Sequence, residues 1–268
     1  MERSIQKQIR SVSLTRQIRR AQGWLLLSSL LTALLLWQAA ITWWDLPAFI
    51  LPGPGAVFQR FLQAAADGSL LRNALTTLAE VLLGLAWGIT LATVLGYFLA
   101  RFRTLERILS PYLVASQAVP IAAIAPLLII WFGSGMFSKV LISGLIVFFP
   151  VLVNTVVGLR AVPENLRDLM RSMKATTWQT LTRLEIPAAL PVILGGLRIG
   201  TALSVIGATV GEFVGADRGL GFMINVGRGQ YDTALVFVAI FTLVAMSLAL
   251  YGVVILIEKR LLYWQEAQ

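Results

Sequence analysis

Apolar residues in this chain come in long runs separated by short polar or glycine-rich stretches, and the runs have the length that a helix needs to cross a hydrocarbon core of roughly 30 Å. The runs lie at Trp24 to Trp44, about Asn73 to Ala100, roughly Ile108 to Phe132, Phe137 to Leu159, Val192 to Val214 and Thr233 to Ile257. Backbone polar groups in lipid must be satisfied within their own segment, so each run is predicted to be a helix. The expected fold is all-α, with six transmembrane spans. Small residues recur every fourth position in two of these runs, as Gly84, Gly88, Ala92, Gly96 and Ala100, and as Gly196, Gly200, Ser204 and Ala208. Such rows let two helix backbones approach closely. In the third run Pro120 and Pro126 stand inside an otherwise helical pattern, and each proline removes a backbone donor and kinks the helix.

Between the runs, Pro47, Pro52, Gly53, Pro54 and Gly55 break regular structure after the first span. The segment GADRGLGFMINVGRGQYD after the fifth run is glycine-rich and too polar to cross, so it is expected to be a loop or a partly re-entrant element. The first run is longer than the apolar region of a signal peptide, and it is read as a retained span.

Composition agrees with a polytopic membrane protein. The 268 residues are 57% apolar and 13% charged, with a net charge of +9. That charge would admit nucleic acid as a partner, but its distribution follows membrane topology instead. Sixteen Lys and Arg fall in the N-terminal 23 residues, the 101–107 turn, the 160–190 loop and the Lys259–Arg260 end, against five in the alternate loops. The excess marks the cytoplasmic side and puts both termini there. Residues 1–23, with six basic residues and Glu2, form a basic tail suited to anionic lipid, and residues 24–268 form the membrane domain. There is no cysteine and no histidine, which removes thiolate chemistry and the commonest general base and metal ligand. No phosphate-binding GxxxxGK[ST] loop occurs, so the chain is not expected to hydrolyse ATP, and no catalytic, cofactor or metal site is predicted.

Charged residues inside apolar runs are costly and call for a partner or a wet cavity. Glu80 and Glu212 continue the two small-residue rows at the same depth, which makes them candidate linings of a pathway; interhelical packing contacts are the other reading. Gln117 and Asn154 are weaker candidates of the same kind, and Arg198 is expected to bond backbone carbonyls near the inner end of its span.

The polar stretch from Arg160 to Pro191 interrupts the membrane pattern. Pro163 suits the first turn of a helix, Leu166, Leu169, Met170 and Met173 make one apolar stripe, and Trp178, Leu181 and Leu184 make a second that Pro187 and Pro191 are expected to end. Two short amphipathic helices outside a bilayer offer a face to lipid or to another protein. This stretch resembles the "EAA" loop of ABC importer permeases, in which Glu-Ala-Ala is followed by three residues, a glycine, nine residues and Ile-x-Leu-Pro. Asp168 stands at the glutamate, Leu169 and Met170 at the alanines, Lys174 (next to Ala175) at the glycine, and Leu184, Ile186 and Pro187 match the close. The resemblance implies that these residues form a coupling helix docking on a separate ATPase subunit.

Together with SQAVPIAAIAPLLIIWFGSG and GATVGEFVGADRGLGFMI, the loop is similar to permeases of the nitrate, sulfonate and taurine importer family, whose relatives carry thiamine-precursor pyrimidines or riboflavin. The TLAEVLLG segment around Glu80 resembles that of the heterocycle-carrying relatives. The resemblance implies a type I ABC importer permease in the bacterial inner membrane, paired with a second copy. It also implies two ATPase subunits that hold ATP and Mg, and an extracytoplasmic solute-binding protein. The expected cargo is a small organic solute, a pyrimidine or flavin-type heterocycle or a sulfonate, with a nitrate or bicarbonate-type anion as the alternative. A passive channel and a membrane scaffold are the other two classes that the pattern admits.

Overall fold

The structure is a computed structural model that describes residues 24–25 and 28–263. The basic tail expected over residues 1–23 lies outside the described residues. Everything described is helix, turn or coil. Residues 28–44 are helical (α1), followed by α2 (Pro54–Ala66), α3 (Ser69–Arg101), α4 (Arg103–Gln117), α5 (Ile121–Phe132) and α6 (Met136–Arg160). Then come α7 (Glu164–Ser172), α8 (Thr177–Thr180), α9 (Ile186–Gly215), α10 (Leu220–Gly229) and α11 (Thr233–Leu261). Among the described residues four helices are long and apolar enough to span a membrane: α3, α6, the α8–α9 rod and α11. The expected count of six is reached only by adding α1 and the α4–α5 pair.

The third expected span is not one kinked helix. α4 and α5 meet at 95°, because Pro120 cannot continue the helix and the residue before a proline is pushed out of the helical region. Pro126, inside α5, is accommodated without a break. A second departure concerns Pro187 and Pro191, which do not stop the helix. Thr177–Gly215 is one continuous 39-residue rod in which residues Leu181–Glu185 form a π-turn. The Ile186 N–H bonds the Leu181 carbonyl, five residues back, and this shift of register just before Pro187 absorbs the missing proline donor. A helix not expected from the hydropathy pattern, α2, follows the first loop: Gly53 ends the turn and Pro54 opens the helix, where a missing N–H costs nothing.

The bundle is built on α6, which is clasped between α3 and α9. In water such packing would be driven by the hydrophobic effect; between lipid-solvated helices it rests on close dispersion contact. The small-residue rows supply it. A Cβ added at Gly88 would sit 2.6 Å from the Gly144 carbonyl oxygen, and one at Gly144 2.0 Å from the Trp87 ring. On the α9 side a Cβ at Gly207 would sit 2.7 Å from Ser143 Cα, and one at Gly200 3.2 Å from Val147 Cγ1. Between the small residues lies an apolar core of Val81, Leu85, Val147, Val151, Leu152 and Val205. Ser143 and Ser204 hydroxyls meet at 2.8 Å, and Ser204 donates to the Val81 carbonyl at 3.0 Å, so one hydrogen-bonded chain crosses all three helices.

α11 and α1 flank this core, with Trp37 stacked on Phe237 at 5.3 Å between centroids. Arg198 of α9 does not use backbone carbonyls as partners. Its Nε donates to Glu258 Oε2 at 2.6 Å, tying α9 to the basic end of α11. A carboxylate serves there because α11 carries Glu258 past the last apolar turn, within reach of α9.

The glycine contacts rank the cost of enlarging them. Gly88→Leu drives a side chain into backbone that cannot yield, whereas Gly200→Leu meets a valine methyl that can rotate. Overpacking costs about 1–3 kcal/mol or more, so thermal unfolding of the purified protein is expected to fall clearly for Gly88→Leu and less for Gly200→Leu. Equal, wild-type melting of both variants would show that the rows do not carry the packing.

Candidate functional sites at the two ends of the bundle

The 160–190 loop occupies one end. α6 stops at Arg160, and Pro163 at the N-cap of α7 starts the next helix in a new direction. Arg167 anchors it. Its guanidinium donates to the Leu159 carbonyl at 2.7 Å and forms ion pairs at 3.3 Å with Glu164 and with the buried Glu185 of the π-turn. One side chain thereby joins the end of α6, the start of α7 and the foot of α9. Arg160 forms a two-pronged pair with Glu106 of α4, which fixes the α4 end of the same platform.

At the far end of α7 the chain reverses through Lys174, in the left-handed region at φ 54°, and the Ala175 N–H closes the turn on the Met170 carbonyl at 3.0 Å. A glycine takes this conformation at little cost, and lysine holds it here because the closing hydrogen bond and the following cap compensate. That cap is a reciprocal box: Gln179 N–H donates to Thr176 Oγ1 at 3.2 Å, and Thr176 N–H to Gln179 Oε1 at 2.8 Å. The T-x-x-Q spacing of Thr176 and Gln179 is the sequence signature of this cap.

Asp168 is exposed and bonds Arg171 at 2.8 Å. Leu169 is 55% exposed, Met173 69% and Trp178 70%, while Met170, Leu184 and Pro187 are half-buried and Ile186 is exposed. The loop therefore presents apolar side chains to the outside from a platform held rigid by charge. Apolar groups on an otherwise polar projection mark an interaction surface.

The opposite end of the bundle holds a buried polar cluster. Asn73, Thr77 and Glu80 lie on one face of α3, at the spacing of successive turns, and meet Glu212 of α9 and the loop that leads into α10. Asn73 Oδ1 accepts the Gly219 N–H at 2.8 Å, Thr77 Oγ1 accepts the Leu220 N–H at 2.8 Å, and Glu212 Oε2 accepts the Gly221 N–H at 2.5 Å. The Thr77 hydroxyl donates in turn to Glu212 Oε1 at 2.6 Å. The unpaired N–H groups at the start of α10 are thus satisfied by side chains from two other helices, and a carboxylate sits where the helix dipole favours it. Gly219 and Gly221 allow this, since a Cβ on either would collide with Glu212.

Glu80 and Glu212 are 2% and 1% exposed and adjoin one another, with Lys139 the nearest cation. Lys139 is itself buried and donates to the Ser134 carbonyl. The two acids differ in one respect. Both oxygens of Glu212 receive donors from the chain, while Glu80 Oε2 is enclosed and has no hydrogen-bond partner. Of the four residues singled out as pathway candidates, the structure brings these two together and leaves the other two elsewhere. Gln117 is exposed at the end of α4, beside an apolar cavity of about 530 Å³ between α4 and α6. Asn154 donates to the Pro150 carbonyl of its own helix at 2.8 Å and packs on Gly196. Asn73, Thr77 and Lys139 were not singled out from sequence, although the N-x3-T-x2-E spacing on a helix gave the signal for the first two.

The contrast between the two acids is measurable. Glu212→Gln turns one oxygen acceptor into an NH₂ donor at the site where Gly221 N–H and Thr77 Oγ1 both donate, weakening the cap by about 1–3 kcal/mol. Glu80→Gln leaves the bonds that cap α10 in place. Thermal melting in detergent or lipid discs is expected to drop for Glu212→Gln and to stay within a degree or so, roughly, for Glu80→Gln; a larger drop for Glu80→Gln would reverse the assignment of Glu212 as the cap.

Comparison with known proteins agrees with this architecture. Residues 84–263 match the family described as "Binding-protein-dependent transport system inner membrane component". The riboflavin transport system permease protein RibX of Chloroflexus aurantiacus is 47% identical over 88% of this chain and 88% of its own length. The formylaminopyrimidine transport permease protein ThiX of Halalkalibacterium halodurans is 36% identical over 82% of this chain and 88% of its own. The putative aliphatic sulfonates transport permease protein SsuC of Bacillus subtilis is 31% identical over 93% and 91%. Among solved structures, a chain of the MetNI methionine ABC transporter in an inward-facing conformation superposes with a TM-score of 0.64, covering 74% of this chain and 98% of that one at 19% identity, a likeness of fold. With its helical bundle, projecting loop and these relatives, the chain belongs to the inner-membrane permease components of binding-protein-dependent ABC importers.

Proposed function

We propose that this chain, paired with a second copy, forms the transmembrane pathway of an ATP-driven importer for a small nitrogen-heterocyclic solute of the flavin or pyrimidine type. The observation that carries the coupling half of this reading is the exposed apolar face of Leu169, Met173 and Trp178 on a loop braced by Arg167. In this reading the loop lies in the cytoplasm and docks on an ATPase subunit that holds ATP and Mg. The α10 end faces the solute-binding protein, and the second copy packs against α4, none of whose residues is buried within the chain.

The mechanism follows from the helix that connects the two ends. Thr177–Gly215 is a single rod of 39 residues, roughly 58 Å at 1.5 Å per residue. Its foot carries the docking loop and its top carries Glu212, which holds α10. A displacement of the loop when two ATPase subunits close is passed along the rod to the α10 end, where it alters access from the opposite side. The π-turn at Leu181–Glu185, followed by Pro187, is the place where the rod has register to yield. The cargo half rests on the 47% identity to a riboflavin permease and the 36% identity to a formylaminopyrimidine permease. A sulfonate cargo is the second reading, favoured by the match to an aliphatic sulfonate permease over 93% of the chain.

The coupling claim is tested by Leu169→Asp. Burying an unpaired carboxylate in an apolar interface costs several kcal/mol, and every 1.4 kcal/mol is tenfold, so uptake is expected to fall by more than about tenfold while the protein still inserts and melts normally. Co-purification of the ATPase with the wild-type chain, and its loss with the variant, is the direct measurement. Undiminished co-purification and uptake with Leu169→Asp would dismiss the loop as the docking element.

A further inference from the structure

Beside the polar cluster is a cavity of about 490 Å³ whose wall includes Thr76 and Glu80 of α3, Ser134 and Lys139 at the start of α6, and Asp217 and Arg218 of the α9–α10 connection. Its two buried charged groups are incompletely used by the chain. Glu80 is 2% exposed, and its Oε2 has no donor. Lys139 is 3% exposed, and of its three N–H groups one is spent on the Ser134 carbonyl. Buried polar groups are nearly always satisfied, and the neighbouring Glu212 shows that this part of the fold has backbone donors to satisfy a carboxylate fully. A carboxyl left open beside a cation with spare donors, both on the wall of one cavity, is a site whose partner comes from outside the chain.

The chemistry of that partner is set by what each group requires. A small anion offers acceptors alone; it would suit Lys139 but would bring no donor to Glu80 Oε2. A simple cation offers donors alone and would be repelled by Lys139. Asp217 and Arg218, 3.9 Å apart, largely cancel each other at the rim. A neutral group that carries a donor next to an acceptor satisfies both residues at once, and the common group of that kind on a heterocycle is a ring N–H beside a ring carbonyl.

We infer that this cavity is a cargo-reading subsite for the lactam or imide edge of a neutral heterocycle, with Glu80 accepting from the ring N–H and Lys139 donating to the adjacent carbonyl. The inference rests on the heterocycle-importer reading above and extends it to named contacts. Glu212 does not bind cargo here; it holds α10, and with it Asp217 and Arg218, at the rim.

The test uses the full chain in lipid nanodiscs, titrated into riboflavin and into 3-methylriboflavin, in which a methyl replaces the imide hydrogen, with flavin fluorescence as the readout. The wild-type chain is expected to bind riboflavin at least about tenfold more tightly than the methylated compound, because a buried acceptor is left unpaired by the latter. Glu80→Ala is expected to weaken riboflavin binding and to abolish the difference between the two flavins, and Lys139→Met to weaken both. Equal binding of the two flavins by the wild type, discrimination that survives in Glu80→Ala, or no flavin binding by a folded wild-type chain each overturns the subsite. Co-purification of the ATPase, measured on the same wild-type preparation, reports separately on the permease reading. If the ATPase is captured and flavin discrimination is absent, the subsite alone is lost; if capture fails, the importer reading fails with it.

Discussion

Close approach of α3 and α9 to α6 is the constraint on which the rest of the molecule depends. In a bilayer, burying leucine against leucine gains little over leaving it in lipid, so cohesion must come from backbone-to-backbone contact and from hydrogen bonds that lipid cannot offer. The glycines meet the first requirement. Trp87 fills the space that Gly144 leaves open, and the Gly144 carbonyl fills the space at Gly88. Ser143 and Ser204 meet the second by joining the three helices through one polar chain. With these contacts fixed, the outer helices have freedom: α11 buries four of its residues and leaves the others at least partly exposed.

The same three helices set the function of the ends. Because α3 and α9 are locked side by side, Asn73, Thr77 and Glu212 reach one point, and that point is where the start of α10 needs acceptors. Charge buried there is tolerated because each group answers another. Glu80 is the member of the cluster whose Oε2 has no donor, and the proposed subsite is built on it.

At the loop end, charge does a different task. Arg167 and Arg160 neutralise buried or half-buried acids and backbone carbonyls, making a stiff platform from flexible side chains. The loop is joined to the far cluster by one uninterrupted helix. Under the proposed coupling, a flexible joint at Pro187 would dissipate a push from a docked subunit, whereas the π-turn carries the helix through the proline.

The sequence by itself determined the helical class, the positions of the apolar runs, the small-residue rows and the projecting amphipathic loop, because each depends on local period, length and charge. It also placed Glu80 and Glu212 at one depth, since both lie on four-residue rows with known direction. Only the tertiary structure decided whether a proline would break a helix. Pro120 breaks one by 95°, while Pro187, preceded by a π-turn, breaks none. Likewise Arg198 takes Glu258 across 60 positions of chain, and Asn73 and Thr77 become caps for a helix more than 140 residues away. Those pairings are non-local, and a side chain's role as cap, anchor or open ligand is set by what the folded neighbours leave unsatisfied, which no local pattern encodes.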